Sequence, residues 1–255
     1  RTRGLISGGF VGPQPTNYLN VIDFVTIAST GNAVDYGDLA VFNGGQRAAC
    51  ASATRGLVMG GMYQGIHNNT IEYMTIAQTG NTIDFGDLSL INVGVSGLSN
   101  QTRGLCFFGN TTPARSNSIE YVTISTTGNA ADFGDLNYTR QNMAAANNPT
   151  RSVFSNGSHS GPHNAISFVT TQSQGDAIDF GDTTVTQSSR RACNSPTRMV
   201  IAGGGDTPVN TIDFVTISTT GNAADFGDLS QATKYMAGAS NAVRGIFANG
   251  NNNPN

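Results

Sequence analysis

The stretch N-T-I-D-F-V-T-I-S-T-T-G-N-A-A-D-F-G-D-L occupies residues 210–229 and ends in the tetrapeptide D-F-G-D followed by Leu. The same tetrapeptide, with Phe or Tyr at its second position, begins at Asp35, Asp84, Asp132, Asp179 and Asp225. These starts lie 49, 48, 47 and 46 residues apart. A period of this length predicts one supersecondary unit that is repeated along the chain, as in propellers and solenoids.

A second motif, T-R-x5-G, accompanies the first and is called the marker here. It begins at Thr2, Thr54, Thr102, Thr150 and Thr197, and once more at Val243 with Val in place of Thr. Five copies of one motif and six of the other indicate five repeats, or six if the chain is incomplete. The chain begins with Arg1 at a repeat boundary rather than with Met, which is compatible with a part of a longer protein.

Each repeat contains four short segments with the patterns of strands. In the second copy, a marker strand (55–61) is followed by an alternating strand (69–77), by the D-F-G-D strand at the blade edge, and by an innermost run of small residues. Gly80-Asn81 and its counterparts in the other repeats predict a two-residue hairpin turn, because Gly supplies the positive φ that such a turn requires.

Four strands per repeat and no helical periodicity predict an all-β, kelch-like β-propeller of four-stranded antiparallel blades, most simply with five blades. A β-solenoid would have shorter repeats, and a trefoil would have three. We expect a single domain over 1–255, in which the small-residue run near 235–242 completes the first blade. The approximate repeats are 1–43, 44–92, 93–139, 140–186 and 187–230, with closing strands in 231–255.

Composition excludes several classes of partner. Charged residues make up 11% of the chain and the formal net charge is −3, so nucleic acid is not expected. No apolar run approaches the length of a membrane helix, so membrane insertion is not expected either. Cys50 and Cys193 occupy one repeat position, where other copies carry Leu98, Ala146 and Ala239, which predicts buried apolar cysteines rather than disulfides.

The charges follow the repeat. Ten of the sixteen acidic residues belong to the D-F-G-D copies, and the alternating strand carries Asp23, Glu72, Glu120 and Asp213, with Ser167 in the remaining copy. Six arginines belong to the markers. We therefore predict that the marker arginines pair with D-F-G-D carboxylates.

Length variation is confined to the segments between the marker and the alternating strand. These segments, 10–22, 62–71, 110–119, 158–166 and 205–212, hold 13, 10, 10, 9 and 8 residues. In a four-stranded meander they lie on one face of the propeller, where variable loops on a rigid scaffold commonly bind ligands. The alternative is that they vary because nothing constrains them. The candidate binding residues there are Phe10, Tyr18, Tyr63, His67, Arg115, His159 and His163.

No pattern of catalysis, metal binding or cofactor binding stands out. The D-F-G-D copies lack the ligand spacing of a calcium loop, and no nucleophile with a convergent His and acid is evident. His159 and His163, in H-S-G-P-H, have the spacing of a weak metal pair but are most simply loop histidines. We therefore expect no catalytic residues, no metal and no cofactor.

The repeats resemble known families. T-R-G-L-V-M-G-G (54–61) resembles the kelch strand that ends in a double glycine, with Phe or Tyr in place of the kelch tryptophan, and 210–229 is similar to the propeller repeats of marine bacteriophage, notably cyanophage, virion proteins. The Gly that directly follows the marker arginine, as in T-R-G, is replaced by Ser152 and Met199 in two copies. The resemblance implies a virion-surface or tail-associated structural protein and supplies no catalytic residues.

These observations lead to the expectation of a non-enzymatic, tail- or capsid-associated phage protein, located extracellularly on the virion. Its variable loops would bind a host surface glycan or other virion proteins, and a homo-oligomer is left open. One alternative is a secreted propeller enzyme acting on polysaccharide, which would gather paired carboxylates in one pocket. Another is a cellular kelch-type protein-interaction domain.

Overall fold

The computed structural model describes residues 3–9, 18–41, 45–63, 65–111, 114–155, 157–158, 161, 163–248 and 250–252. None of these residues is helical, so the described part of the chain contains no apolar helix of membrane-spanning length. Its regular structure is β throughout. The strands are β1 (Arg3–Ser7), β2 (Val21–Thr26), β3 (Val34–Asp38), β4 (Ala48–Ala51), β5 (Arg55–Tyr63), β6 (Ile66–Thr75), β7 (Ile83–Val93), β8 (Ser96–Ser99), β9 (Arg103–Phe107), β10 (Asn110–Thr111), β11 (Ser118–Thr123), β12 (Ala131–Asp135), β13 (Ala144–Asn147), β14 (Arg151–Ser155), β15 (Ala165–Thr170), β16 (Ile178–Asp182), β17 (Arg191–Asn194), β18 (Arg198–Ala202), β19 (Thr211–Thr216), β20 (Ala224–Asp228), β21 (Ala237–Ser240) and β22 (Gly245–Ala248).

The predicted fold class is confirmed: the chain is all-β and its blades are of the five-bladed β-propeller type. Each of five sheets carries one D-F-G-D strand, which is the edge strand in four of them and lies next to the edge strand in blade 2. The five sheets are blade 1 (β1-β2-β3), blade 2 (β4-β5-β6-β7, with the short β10 beside β7), blade 3 (β8-β9-β11-β12), blade 4 (β13 to β16) and blade 5 (β17 to β20). In blades 2 to 5 the small-residue strand forms the opposite edge and pairs with the marker strand that follows it.

A sixth, two-stranded sheet corrects the expected end of the chain. The run near 235–242 was expected to complete the first blade, but its strand β21 pairs with β22, the sixth marker strand, from Ala237 opposite Ala248 to Ser240 opposite Gly245. Blade 1 has three strands in the described residues. The correction has a simple cause, because β22 follows β21 after a tight turn and is the nearest marker strand along the chain.

The chain divides into two compact units. Unit 1 comprises 1–115 and 120–132, and unit 2 comprises 116–119 and 133–255, so the boundary runs through β11 and β12. Unit 1 contains a core of Leu57, Met59, Ile71, Phe85, Leu88, Cys106, Phe108, Val122 and Ile124 with their neighbours, and a smaller one around Ile22 and Tyr36. The core of unit 2 includes Val153, Ile166, Phe180, Met199, Ile201 and Ile217. In both units these are the alternate apolar residues of the repeat.

Each of the first four D-F-G-D strands binds the Gly-Asn segment of the following repeat, a contact that we call a seam. In unit 1, Gly80 N–H donates to Tyr36 O (2.7 Å) and Thr82 N–H to Asp38 O (2.9 Å). Gly37 has a φ of +144°, and a Cβ there would overlap the Gly80 carbonyl group. The D-F-G-D motif therefore needs Gly for close approach as well as for its backbone conformation.

The seam also corrects the expected hairpin turn. The chain reverses just after β6, where Gln78 N–H donates to Thr75 O (3.0 Å), whereas Gly80 and Asn81 lie further along a seven-residue connection, 76–82. Gly-Asn has the backbone freedom of a hairpin turn, but its positive φ serves docking to the neighbouring repeat. The same seam recurs where Gly128 N–H donates to Phe85 O (2.7 Å), and in unit 2 at Phe133–Gly175 (2.8 Å) and Phe180–Gly221 (2.7 Å).

The marker arginines stabilise the seams, though not in the predicted way. Arg3, Arg55 and Arg151 donate to the main-chain carbonyls of Ile76, Ile124 and Ile217, at 3.0 to 3.1 Å. Their guanidinium groups also lie 4.5 to 4.6 Å from the ring centroids of Phe24, Tyr73 and Phe168. The prediction that these three arginines pair with D-F-G-D carboxylates is therefore wrong. A guanidinium that stacks on a ring and donates to a carbonyl of the following repeat needs no carboxylate partner.

The acidic position of the alternating strand has a structural role. In unit 2, Asp213 forms an ion pair of 2.6 Å with Arg190, and both side chains are fully buried. In unit 1, Glu72 accepts hydrogen bonds from Val41 N–H (2.9 Å) and the Thr82 hydroxyl (3.1 Å). These carboxylates are bonded within the scaffold, as buried charges must be.

Candidate functional site

The candidate binding residues fall into separate groups, which are described unit by unit. Phe10 and His159 lie outside the described residues. In unit 1, Tyr18 and Tyr63 come together with ring centroids 5.5 Å apart and an interplanar angle of 59°. Residues 45 positions apart in the sequence thus form one aromatic pair, which no local pattern could predict.

An extended hairpin positions Tyr63. Blade 2 has longer strands than the others: β5 has nine residues, β6 ten and β7 eleven. At the tip of the hairpin Tyr63 pairs with Ile66, and Met62 pairs with His67. The strands lengthen because L-S-L-I-N-V (88–93) is rich in apolar and β-branched residues, where the three following repeats have mostly polar ones.

The tip of this hairpin is apolar as well as aromatic. Ile66, Leu90 and Ile91 are exposed, whereas Tyr18, Tyr63 and His67 are half-buried. Tyrosine and histidine add hydrogen-bonding groups to the apolar surface. Arg115, the remaining candidate in unit 1, is half-buried and follows β10.

In unit 2 the rings of Tyr138 and His163 are stacked in parallel. Their centroids are 6.1 Å apart and their planes differ by 1°. The Tyr138 side chain is 49% exposed. This arrangement leaves a flat aromatic surface accessible at the end of the strands.

The buried side chain of Arg140 lies beside the Tyr138 ring of this stack. The guanidinium of Arg140 lies 5.5 Å from the Tyr138 ring and 5.4 Å from the Phe154 ring. It donates to the Ser167 hydroxyl (2.8 Å) and to Ala165 O (3.1 Å). Burial lowers the pKa of Arg140 to about 10. These contacts order the Tyr138 platform, because a buried guanidinium holds its position only where its donors are bonded.

Sequence reasoning missed both Tyr138 and Arg140. They lie in the connection that leaves the D-F-G-D strand, which has a nearly constant length, whereas the predicted binding residues all lie in the segments of variable length. Meander topology places both kinds of connection at the same end of the strands, and an aromatic residue followed closely by arginine was a usable signal.

The described residues contain no group of three or more His, Cys, Asp or Glu side chains arranged to hold a metal ion. His67 lies on a strand and His163 stacks on Tyr138. The cysteines described are free, and burial raises the pKa of the Cys50 thiol to about 12.

A shallow depression of about 360 Å³ lies at the other end of the strands in unit 1. It is lined by Ser52, Ala53, Thr54, Arg55, Gln101 and Ser125. Its residues come from the turns before the marker strands and after the alternating strand. Arg55 is the only charged side chain in this lining, and it already binds Ile124 O and stacks on Tyr73.

A scan against protein-family models and a search of curated protein sequences found no match to this chain. The resemblance to kelch and cyanophage repeats thus rests on the motifs themselves.

Proposed function

We propose that this chain is a non-enzymatic structural and adhesion component of a phage virion, tail- or capsid-associated and extracellular. The variable-loop ends of its strands bind a host surface glycan or another virion protein. The observation that carries the proposal is the parallel stack of exposed Tyr138 on half-buried His163, with Arg140 beside the Tyr138 ring.

The chemistry of the stack suits a sugar. A pyranose ring has an apolar face of C–H groups, which packs against a flat aromatic ring, and a rim of hydroxyls, which needs donors and acceptors. The Tyr138 hydroxyl and the His163 ring supply such groups. A chain with 11% charged residues favours a neutral, hydroxylated ligand over a strongly charged one.

The scaffold supports the same reading. The seams repeat with nearly constant geometry, whereas the segments that carry Tyr18, Tyr63 and His163 differ in length from repeat to repeat. Rigid elements that present varied loops are typical of recognition proteins. In unit 1 the Tyr18–Tyr63 pair with exposed Ile66 is the corresponding surface.

Glycan binding is tested with the purified chain on a glycan array, followed by titration of any bound glycan. Isothermal titration calorimetry measures the affinity of each variant without using the signal of a tyrosine that the substitution removes. We expect Tyr138→Ala to weaken binding at least tenfold, about 1.4 kcal/mol. The control Ile178→Ala, at another exposed apolar side chain of unit 2, leaves binding unchanged.

The result decides between the classes of function. Equal binding by Tyr138→Ala would overturn the assignment of this surface, and cleavage of the bound glycan would show an enzyme. If no glycan binds, cross-linking of purified virions tests the partner-protein branch. Absence of the chain from virions would overturn the virion assignment.

A further inference from the structure

The depression in unit 1 lies where two neighbouring repeats meet, and we call it the Arg55 depression. Residues 52–55 of its lining span the turn before β5 and the first residue of that strand. Gln101 belongs to the same turn of the next repeat, and Ser125 follows β11. The seam between blades 4 and 5 in unit 2 has the same turns, so the two places can be compared position by position.

In unit 2 a side chain bridges the two corresponding turns. Asn148, at the repeat position of Ser52, donates from its amide to the main-chain oxygen of Pro196 (3.4 Å), which stands at the position of Gln101. Serine has no amide, and the Ser52 hydroxyl accepts from N–H groups of its own turn. The Arg55 depression therefore lies where the seam of unit 2 has a bridging side chain and the seam of unit 1 has none.

The charge of Arg55 has no counter-charge in this lining. Its Nη1 donates to Ile124 O (3.0 Å), and its guanidinium lies 4.6 Å from the centroid of the Tyr73 ring. Neither partner is charged, the lining contains no Asp or Glu, and Arg55 forms no ion pair within the described residues. The Nε and Nη2 atoms of Arg55 carry further N–H donors. The depression thus combines one positive charge with unused donors.

The rest of the lining adds neutral hydrogen-bonding groups. Thr54, Gln101 and Ser125 are exposed, and their hydroxyl and carboxamide groups can donate to a bound molecule. A guanidinium offers parallel N–H groups that match the oxygens of a carboxylate, sulfate or phosphate. One guanidinium surrounded by hydroxyls, without a carboxylate, is the chemistry that suits an oxyanion.

We propose that the Arg55 depression binds an oxyanion, either free or as a substituent of a sugar. Arg55 supplies the charge, and the hydroxyls around it bond the remaining oxygens. The net charge of −3 weakens long-range attraction of anions, so recognition depends on these short-range contacts. The site lies at the end of the strands opposite to the Tyr18–Tyr63 pair and does not depend on the function proposed above.

Binding is tested by ¹H–¹⁵N NMR of the full chain, titrated with sodium sulfate in place of sodium chloride at constant ionic strength. Constant ionic strength removes the shifts that come from screening alone. We expect saturable shifts of the amide signals of Thr54, Arg55, Gln101 and Ser125. The internal control is the absence of such shifts at the same positions of unit 2, namely at Thr150, Arg151 and Ser218. Equal shifts at both places, or none at either, would overturn the proposal.

Two variants separate the charge from the space. Arg55→Met keeps an apolar stem over the Tyr73 ring and should weaken sulfate binding at least about tenfold. Its matched control Arg151→Met removes the same group from unit 2 and should leave binding unchanged. Ser52→Asn restores the bridging amide of Asn148, keeps the charge and should also weaken binding at least about tenfold. Unchanged sulfate affinity in either Arg55→Met or Ser52→Asn would overturn the proposal.

Three probes identify the source of the oxyanion: inorganic sulfate, glucose monosulfate and glucose. Tighter binding of glucose monosulfate than of inorganic sulfate would assign the site to an anionic sugar, and equal or weaker binding would assign it to a free oxyanion. Glucose alone should cause no saturable shift at Arg55. If glucose bound as tightly as its sulfate ester, the depression would recognise hydroxyls rather than charge, and the proposal would be overturned.

Discussion

Phe180 and Phe226 occupy the same position of the same motif but have different surroundings. Each packs edge-to-face on the aromatic residue of its own alternating strand, Phe168 at 5.9 Å and Phe214 at 6.0 Å. Yet Phe180 is 2% exposed and Phe226 is 56% exposed. The geometry inside the blade is therefore set by the blade itself, and burial of the motif is supplied by the neighbouring Gly-Asn segment.

The comparison separates two contributions to stability that usually occur together. A residue of an internal seam contributes through its own sheet and through the next one. Its counterpart on the terminal edge contributes through its own sheet alone. Paired substitutions at the two places measure the seam, because the effects within the blade cancel.

The largest effect is expected for the aromatic residue. Phe180→Ala removes a buried ring and should cost about 3–5 kcal/mol in free energy of unfolding. Phe226→Ala removes an exposed ring and the pairing with Phe214, and should cost at most about 1 kcal/mol. Urea unfolding followed by far-UV circular dichroism measures both. Equal costs would show that the seam does not bury Phe180 in solution.

The glycine of the motif should give the next largest difference. Gly181 and Gly227 have φ angles of +143° and +136°, so alanine at either position is strained by about 1–3 kcal/mol. At Gly181 the new methyl group also collides with the Gly221 carbonyl, which should add about 1–3 kcal/mol. Thermal unfolding of the two variants gives the difference. A smaller loss for Gly181→Ala than for Gly227→Ala would contradict the close approach.

The repeat alone was enough to predict the blades. The D-F-G-D spacing and the alternation of residues such as Ile71 and Tyr73 are local properties, and they determine which residues form strands and which faces are buried. The seams could not be predicted in the same way. Gly80-Asn81 has the local signature of a hairpin turn, and only a contact with Tyr36, 44 residues earlier, reveals its role.

The prediction that marker arginines pair with D-F-G-D carboxylates failed for the same reason, because it used no information on distant contacts. The recurrence of marker arginines and D-F-G-D acids along the chain suggested that they pair, but a count contains no distances, and Arg55 instead donates to Ile124 O. At the candidate site, Tyr18, Tyr63 and His163 could be selected from position and residue type. The pairing of Tyr18 with Tyr63, and of Tyr138 with His163, could not be predicted, because stacking depends on how segments distant in the sequence fold over the strand ends.

The marker arginines Arg151 and Arg198 allow a third comparison between an internal seam and the terminal edge. Arg151 donates to Ile217 O and stacks on Phe168, and Arg198, which is exposed, stacks on Phe214. Substitution by Met keeps the apolar stem over the ring. Arg151→Met additionally loses a hydrogen bond across the seam, so it should be about 1 kcal/mol more destabilising than Arg198→Met. Equal losses in urea unfolding would show that the bond to Ile217 O contributes nothing.

The smallest effect on stability, and the most direct view of the terminal sheet, comes from the cysteines. Cys50 lies beneath Gly104 of β9 in an internal sheet, and Cys193 lies beneath Gly245 of β22. Burial raises the pKa of both thiols, that of Cys50 to about 12, which disfavours the reactive thiolate in the folded chain. The exposed residues of β21 and β22 predict that Cys193 is alkylated at least tenfold faster, a difference of about 1.4 kcal/mol in opening free energy.

Peptide mass mapping after a short pulse of iodoacetamide assigns each label to its cysteine. The repeat supplies the control, because Ala146 and Ala239 stand at the same position in other copies and Cys50→Ala or Cys193→Ala should fold normally. In urea both thiols should react equally, which removes intrinsic reactivity from the comparison. Faster labelling of Cys50 than of Cys193 in the folded chain would mean that β22 covers Cys193 more firmly than β9 covers Cys50.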